Sequence, residues 1–367
     1  MTGKSRNGTF GRSRIDRLRS CFSGFGADAY LVTHLANIRY LCGFTGSAAL
    51  LLVEPSRATL YTDSRYTFQA HEEVTGARVE IARGGLLAAA GAALRRRRGR
   101  VRLAYSPSQI TVAQRTALEG LAARRVRWID GGNAVEKLRA IKDPQELGAM
   151  REAADLISAV FQDAVQKVKP GTSELALAAE LEYSMKMRGA SGPSFETIVA
   201  AGAHSAWAHA RPTSNPLRKS QLVVLDQGAI LRGYCSDMTR TVFLGRAPAR
   251  VRRLYGAVLA AQEAAKAAIR PGVNGESVDA AARRVLKGER LAQYFTHSTG
   301  HGLGLEVHEM PRLGKGEKTI LEEGMVITVE PGVYVEGLGG IRIEDEVVVT
   351  AKGGEDLTTA PRGFIEL

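Results

Sequence analysis

A chain of 367 residues that is 44% hydrophobic and 24% charged, with 40 glycines, has the balance of a turn-rich globular protein of two domains, which excludes a disordered or fibrous one. No apolar stretch approaches the roughly 18 residues of a membrane helix, and no apolar segment follows Lys4, Arg6, Arg12 and Arg14, so residues 1–14 read as a frayed basic tail rather than a secretory signal. The net charge of +12 raises nucleic acid as a partner, but the run Arg95 to Arg98 closes an alanine- and leucine-rich helical pattern without interleaved aromatic residues, so a solvated basic face is expected and nucleic acid is not.

From Arg14 to about Ala140, β-like runs (Ala29–Thr33, Ala48–Val53, Ala58–Tyr61) alternate with helical stretches, predicting a smaller α/β domain over residues 1–140. Three cysteines, Cys21, Cys42 and Cys235, are an odd number at wide spacing; they suit a reducing cytoplasm better than a disulfide framework or a zinc knuckle. Gly131-Gly132-Asn133 marks the domain boundary. A helix then starts with Asp143 as cap, Pro144 at the first helical position and Glu146 completing an Asp-x-x-Glu box. Leu147, Met150, Ala154, Ile157, Phe161, Val165 and Val168 repeat at three- and four-residue steps, one buried stripe that runs until Pro170-Gly171. A second helix is predicted from Ser173 to Arg188.

Beyond Gly192 come strand-like segments at Phe195–Ala200, Leu222–Asp226, Tyr234–Leu244, Met325–Val335 and Ile341–Thr350. Helices over Arg250–Arg270 and Val278–Gly288 interrupt them, the second with Ser277 as its cap. Helix pairs alternating with strand pairs predict a curved antiparallel sheet backed by helices, an α+β domain over residues 141–367.

Five of the seven histidines (His204, His209, His297, His301, His308) fall in this second domain. Acidic residues also end or follow apolar strands there: Asp226 after Leu222–Leu225, Glu330 after Met325–Val329, Glu344 after Ile341-Arg342-Ile343. A bare buried carboxylate is costly, so each needs a cation or a donor beside it. Any one of them could merely face water or an arginine at a strand end; together they are harder to explain that way. A period of two places Arg342, Glu344 and Glu346 on one face and Ile341, Ile343 and Val347 on the other. With Asp237 and His301 the set becomes one imidazole and four carboxylates, which suits Mn²⁺, Co²⁺ or Zn²⁺ and can bridge two cations that activate a water and polarise a substrate carbonyl. The segment Gly300 to Glu309 lacks the βαβ context and the following acid of a dinucleotide loop, and its glycines are expected to let the backbone pass close to the metals. His34 and His71 receive no role.

These residues resemble the signature blocks of proline-specific metallopeptidases, the aminopeptidase P and prolidase group. The blocks are Asp226 to Gly228, Gly233 to Thr241, Gly300 to Glu309, Thr328 to Gly332 and Ile341 to Asp345, in matching order and spacing. Asn37 to Leu41 with Gly43 to Ser47, and Thr62 to Tyr66, are similar to the creatinase-type N-terminal domain of that group. The resemblance spans roughly residues 30 to 362. It implies a pita-bread catalytic domain, a site of the dimanganese type, a homodimer, and Asp226, Asp237, His301, Glu330 and Glu344 as metal ligands. Glu330 would also shuttle the proton. By the same resemblance His209, His297 and His308 would touch substrate, and Arg342 would brace the bridging carboxylates.

The lead expectation is an Xaa-Pro aminopeptidase acting on proline-containing peptides; the alternative is an Xaa-Pro dipeptidase, and a more distant one is a non-catalytic pita-bread binding module. The family commonly has Pro before the histidine matching His209, where this chain has Trp207-Ala208, and His204 stands where Asn is frequent.

Overall fold

The computed structural model describes residues 14–367, which divide into two compact units between Arg139 and Ala140. Of the expected basic tail, residues 1–13 lie outside the described residues, and Arg14 corrects the expectation. Its guanidinium lies over the Tyr40 ring and donates to the Tyr40 carbonyl at 2.9 Å. An aromatic face and a carbonyl replace water there, and the side chain is buried.

The first unit is a mixed six-stranded sheet of β1 (Ala29–Val32), β2 (Ala49–Val53), β3 (Ala58–Thr62), β4 (Arg78–Ile81), β5 (Val101–Tyr105) and β6 (Val126–Asp130), in the order β4-β3-β2-β1-β5-β6. Only β2 runs antiparallel to its neighbours. Helices α1 (Leu86–Arg95) and α2 (Val112–Leu121) set Leu94 and Leu118 against Leu31, Leu50, Leu52 and Leu103. The arginine run is less uniformly solvated than expected: Arg97 and Arg57 both pair with Glu54, a buried carboxylate in the β2–β3 turn.

In the second unit, α3 (Pro144–Val165) begins as its sequence dictates. The Asp143 side chain accepts from the Gln145 and Glu146 amides, and the Glu146 side chain returns a bond to the Asp143 amide. Met150, Ala154, Ile157, Phe161 and Val165 form its buried stripe. Helix α4 (Glu174–Met187) is capped by Ser173, α5 covers Ala249–Ala268, and α6 covers Gly275–Gly288. The cap of α6 is Asn274 rather than Ser277: the Asn274 side chain accepts from the Ser277 amide, which belongs to the first turn.

Strands β7 (Gly192–Pro193), β10 (Ala229–Leu231) and β11 (Tyr234–Cys235) make a small sheet. A larger one holds β8 (Ile198–Ala201), β9 (Gln221–Gln227), β12 (Met238–Leu244) and β20 (Ile365–Glu366), in the order β20-β12-β9-β8. The third holds β13 (Gly300–Gly302), β14 (Glu309–Leu313), β15 (Val326–Val329), β18 (Asp345–Thr350) and β19 (Gly353–Asp356), in the order β14-β13-β15-β18-β19, and β16 (Gly332–Val335) pairs with β17 (Gly339–Arg342). Apart from the β12–β20 contact, all of these pairings are antiparallel. Helices α3 and α4 pack on Val223, Leu225 and Val242. Helices α5 and α6 pack on Ile327, Ile341, Val347 and Val349. Each helix pair thus backs one sheet, the α+β arrangement the alternation predicts.

Three expected strands are each broken in two. Tyr234–Leu244 is interrupted at Ser236-Asp237, Met325–Val335 at Glu330-Pro331 and Ile341–Thr350 at Ile343-Glu344. Each break falls where an acidic residue leaves the pleat to face the cavity described next.

Candidate metal centre

Asp226 lies in β9 opposite Thr239 of β12, and Asp237 precedes β12 at the same end of that pair. The Glu344 amide donates to the Thr239 carbonyl at 3.1 Å, which ties the lead-in of β18 to β12. His301 sits in β13 where the register shifts between His301 and Gly302, an irregularity that re-aims a side chain. Glu330 follows β15 with its amide bonded to the Thr299 carbonyl at 2.8 Å. All five residues line one cavity of ≈ 640 Å³. His209, His297, His308 and Arg342 line the same cavity.

Asp237, His301 and Glu344 offer donor atoms within 4.8 Å of one another. His301 Nε2 stands 3.4 Å from Glu330 Oε1 and 3.6 Å from Asp237 Oδ2. Its Nδ1 is bonded to the Gly302 carbonyl at 3.0 Å, so Nδ1 carries the hydrogen and the Nε2 lone pair faces the carboxylates. Burial pulls the imidazole down to about 4, keeping it neutral and able to act as a ligand.

The carboxylates are crowded. Burial first, and then the neighbouring carboxylates, push Asp237 and Glu344 well above the ordinary range. Burial likewise raises Glu330. Asp226 Oδ1 is buried without a hydrogen-bond partner among the described residues. Among the described residues, Arg342 is the one arginine or lysine paired with a carboxylate of this set. A divalent cation reverses that repulsion and satisfies the orphaned oxygen, so the donor set fits the metal ions its chemistry implies.

Arg342 braces the centre more narrowly than expected. Its Nη2 donates to Asp226 Oδ2, but it reaches Glu344 only through Thr239: Nε donates to Thr239 Oγ1 at 3.0 Å, and that hydroxyl donates to Glu344 Oε2 at 2.6 Å. Nη1 donates to the Tyr334 hydroxyl at 2.6 Å and to the Ala208 carbonyl at 3.1 Å. His297 also departs from expectation, since both of its ring nitrogens are engaged, Nε2 with the Tyr334 hydroxyl at 2.9 Å and Nδ1 with the Ser298 carbonyl at 2.8 Å. His308 stacks edge-on against His301, with centroids 4.4 Å apart.

The glycines of the Gly300 segment leave room for neighbouring backbone and side chain. A Cβ on Gly300 would fall 2.0 Å from the Thr328 carbonyl oxygen, one on Gly302 2.1 Å from that of Met310, and one on Gly304 2.7 Å from Glu309 Oε2.

Sequence reading missed Tyr334, Thr239, Thr328 and the clamp behind Glu344. Arg240, fully buried, donates to the Glu344 carbonyl at 2.5 Å, to Asp345 Oδ1 at 2.6 Å and to the carbonyls of Thr239, Ala360 and Pro361. Burial alone would raise Asp345, but Arg240 and Lys266 hold it below the usual carboxylate range. The available signal was an arginine between two threonines in a strand that continues as Val242-Phe243-Leu244; a charge in a buried strand is costly unless it is paired.

Residues 148–351 match metallopeptidase family M24, and residues 14–141 match the creatinase/prolidase N-terminal domain. An Xaa-Pro dipeptidase of Pyrococcus furiosus is 40% identical over 64% of this chain and 67% of its own. Several solved structures resemble nearly the whole chain. The Xaa-Pro dipeptidase from Bacillus anthracis has a TM-score of 0.93 at 36% identity, over 97% of this chain and 100% of that one. The X-Pro aminopeptidase from Thermotoga maritima has a TM-score of 0.88 at 34% identity, over 96% and 100%. With the sheet-and-helix architecture and the five-donor cluster, these likenesses place the chain in metallopeptidase family M24, a pita-bread catalytic domain preceded by a creatinase/prolidase-type N-terminal domain.

Proposed function

We propose that this protein hydrolyses the bond between an N-terminal residue and proline, with residues 1–140 as the N-terminal domain and 141–367 as the catalytic one. The observation that carries the reading is the convergence of Asp226, Asp237, His301, Glu330 and Glu344 with His209, His297 and His308 on one cavity. Of the two specificities, the dipeptidase has the more support, because dipeptidases outnumber aminopeptidases among the relatives of similar length and fold. Manganese as the metal, a homodimer and a cytoplasmic location complete the reading, on the family resemblance and, for the last, on the unpaired cysteines.

When bound, two divalent cations would polarise the scissile carbonyl and acidify a water. Asp226, Asp237, His301, Glu330 and Glu344 would hold them. Glu330, at the cavity wall, takes a proton from the attacking water and delivers it to the departing proline nitrogen. His209 and His308 donate to the oxyanion that develops on the scissile carbonyl. His297 orients the Tyr334 hydroxyl, which together with Arg342 keeps Asp226 in place.

Xaa-Pro dipeptides, Xaa-Pro-Yaa tripeptides and longer peptides separate the two specificities. Manganese-loaded protein is expected to cleave the dipeptides with a kcat/KM at least about tenfold higher than the tripeptides, a difference of about 1.4 kcal/mol in transition-state binding. Faster cleavage of tripeptides and longer chains would restore the aminopeptidase reading.

A further inference from the structure

Glu174, the first residue of α4, is 1% exposed and does not line the cavity. Its Oε1 accepts from the Ala201 amide at 2.8 Å, and its Oε2 accepts from the Thr213 amide at 3.0 Å and the Thr213 hydroxyl at 2.7 Å. His204 Nδ1 lies 3.0 Å from both oxygens, and as the donor of that pair it carries the hydrogen. These partners are the entrance, the interior and the exit of the segment 202–213. That segment supplies Ala208, His209, Ala210 and Arg211 to the cavity wall.

The other side of the segment is also held. Arg342 donates to the Ala208 carbonyl, and the Gly340 amide donates to Ser205 Oγ at 2.9 Å. A Cβ on Gly340 would fall 2.1 Å from the Ser205 carbonyl oxygen, so β17 and the segment are in close contact. Trp207, 69% exposed, packs edge-on against His204. A carboxylate this deeply buried is costly unless its oxygens are satisfied, and here its donors among the described residues are Ala201, at the end of β8 where the segment begins, and His204 and Thr213 within the segment that delivers His209.

We propose that Glu174 is a positioning residue for the reaction: it latches the 202–213 segment and thereby fixes His209 in the cavity, with His204 as the segment's own anchor. The latch rests on the reading of His209 as a substrate-contacting group. The His204 imidazole spans both carboxylate oxygens.

The test compares wild type with E174Q, H204A, H209A and E174Q/H209A. Manganese content, kcat and KM on an Xaa-Pro dipeptide, and amide hydrogen exchange of the metal-free proteins are measured. E174Q is expected to lower kcat/KM about 10- to 100-fold, mainly in kcat, with wild-type metal content, as for a supporting group one layer behind a reacting one. Adding E174Q to H209A is expected to lower kcat/KM by less than about threefold more, because both act through one imidazole. Exchange at residues 201–213 is expected to quicken in metal-free E174Q and H204A while the remaining chain keeps its protection. H204A preserves the test if E174Q does not fold. Independent, multiplicative losses in E174Q and H209A, or unchanged exchange over 201–213, would overturn the latch. Failure of wild type to cleave any Xaa-Pro peptide would instead remove the substrate reading, and the exchange arm would still decide whether Glu174 holds the segment.

Discussion

Replacing Glu330 with glutamine is expected to lower kcat by about three orders of magnitude, within the range for loss of a general acid–base group, while the protein stays folded. The fold does not depend on the carboxylate. The side chain borders the cavity, and its one hydrogen bond to a described residue is a long one, 3.4 Å from Thr328 Oγ1, whereas the backbone bond from its amide to the Thr299 carbonyl survives the substitution. Glutamine also removes one negative charge from a cluster that includes Asp226, Asp237 and Glu344, so the metal-free variant should melt no lower than wild type. Kinetics at saturating manganese beside a thermal melt check this; a kcat within tenfold of wild type would remove Glu330 from the proton path.

Arg342→Ala is expected to damage the centre in a different way. The guanidinium is buried and bonds Asp226, Thr239, Tyr334 and Ala208 at once. Its loss leaves Asp226 an uncompensated carboxylate and unseats Tyr334 and, through Thr239, Glu344. Breaking a buried charge pair in this manner costs about 3–5 kcal/mol of stability. Loss of a brace behind metal ligands typically lowers metal affinity or activity by about 10- to 100-fold. Denaturant unfolding of the metal-free protein and a metal-binding titration measure the two effects separately. Wild-type stability together with wild-type metal affinity would show that Arg342 is a bystander.

The five candidate donors were legible in the sequence; the contacts that brace them were not. Asp226, Glu330 and Glu344 stand out because apolar strands cannot bury them unaided, and Asp143-Pro144 with Glu146 marks the start of α3 because local capping chemistry decides it. The breaks at Ser236-Asp237 and Ile343-Glu344 were not legible, because the acids at them meet only on the cavity wall of the folded chain. Arg14 misled because a cation near a terminus reads as solvated, while the tyrosine ring that buries it lies 26 residues away. Tyr334, Thr239 and Arg240 act through contacts across the sheets, which neither periodicity nor composition records. Glu174 was invisible for the same reason, since its partners at Ala201, His204 and Thr213 converge only after folding.

The most direct measurement is manganese titration of the purified, metal-stripped protein followed by ligand exchange into an Xaa-Pro dipeptide assay. Two ions bound per chain are predicted, with hydrolysis rising as they bind and with binding lost in Asp237→Asn. A protein that holds no manganese, cobalt or zinc and cleaves no Xaa-Pro peptide after metal addition would contradict the account.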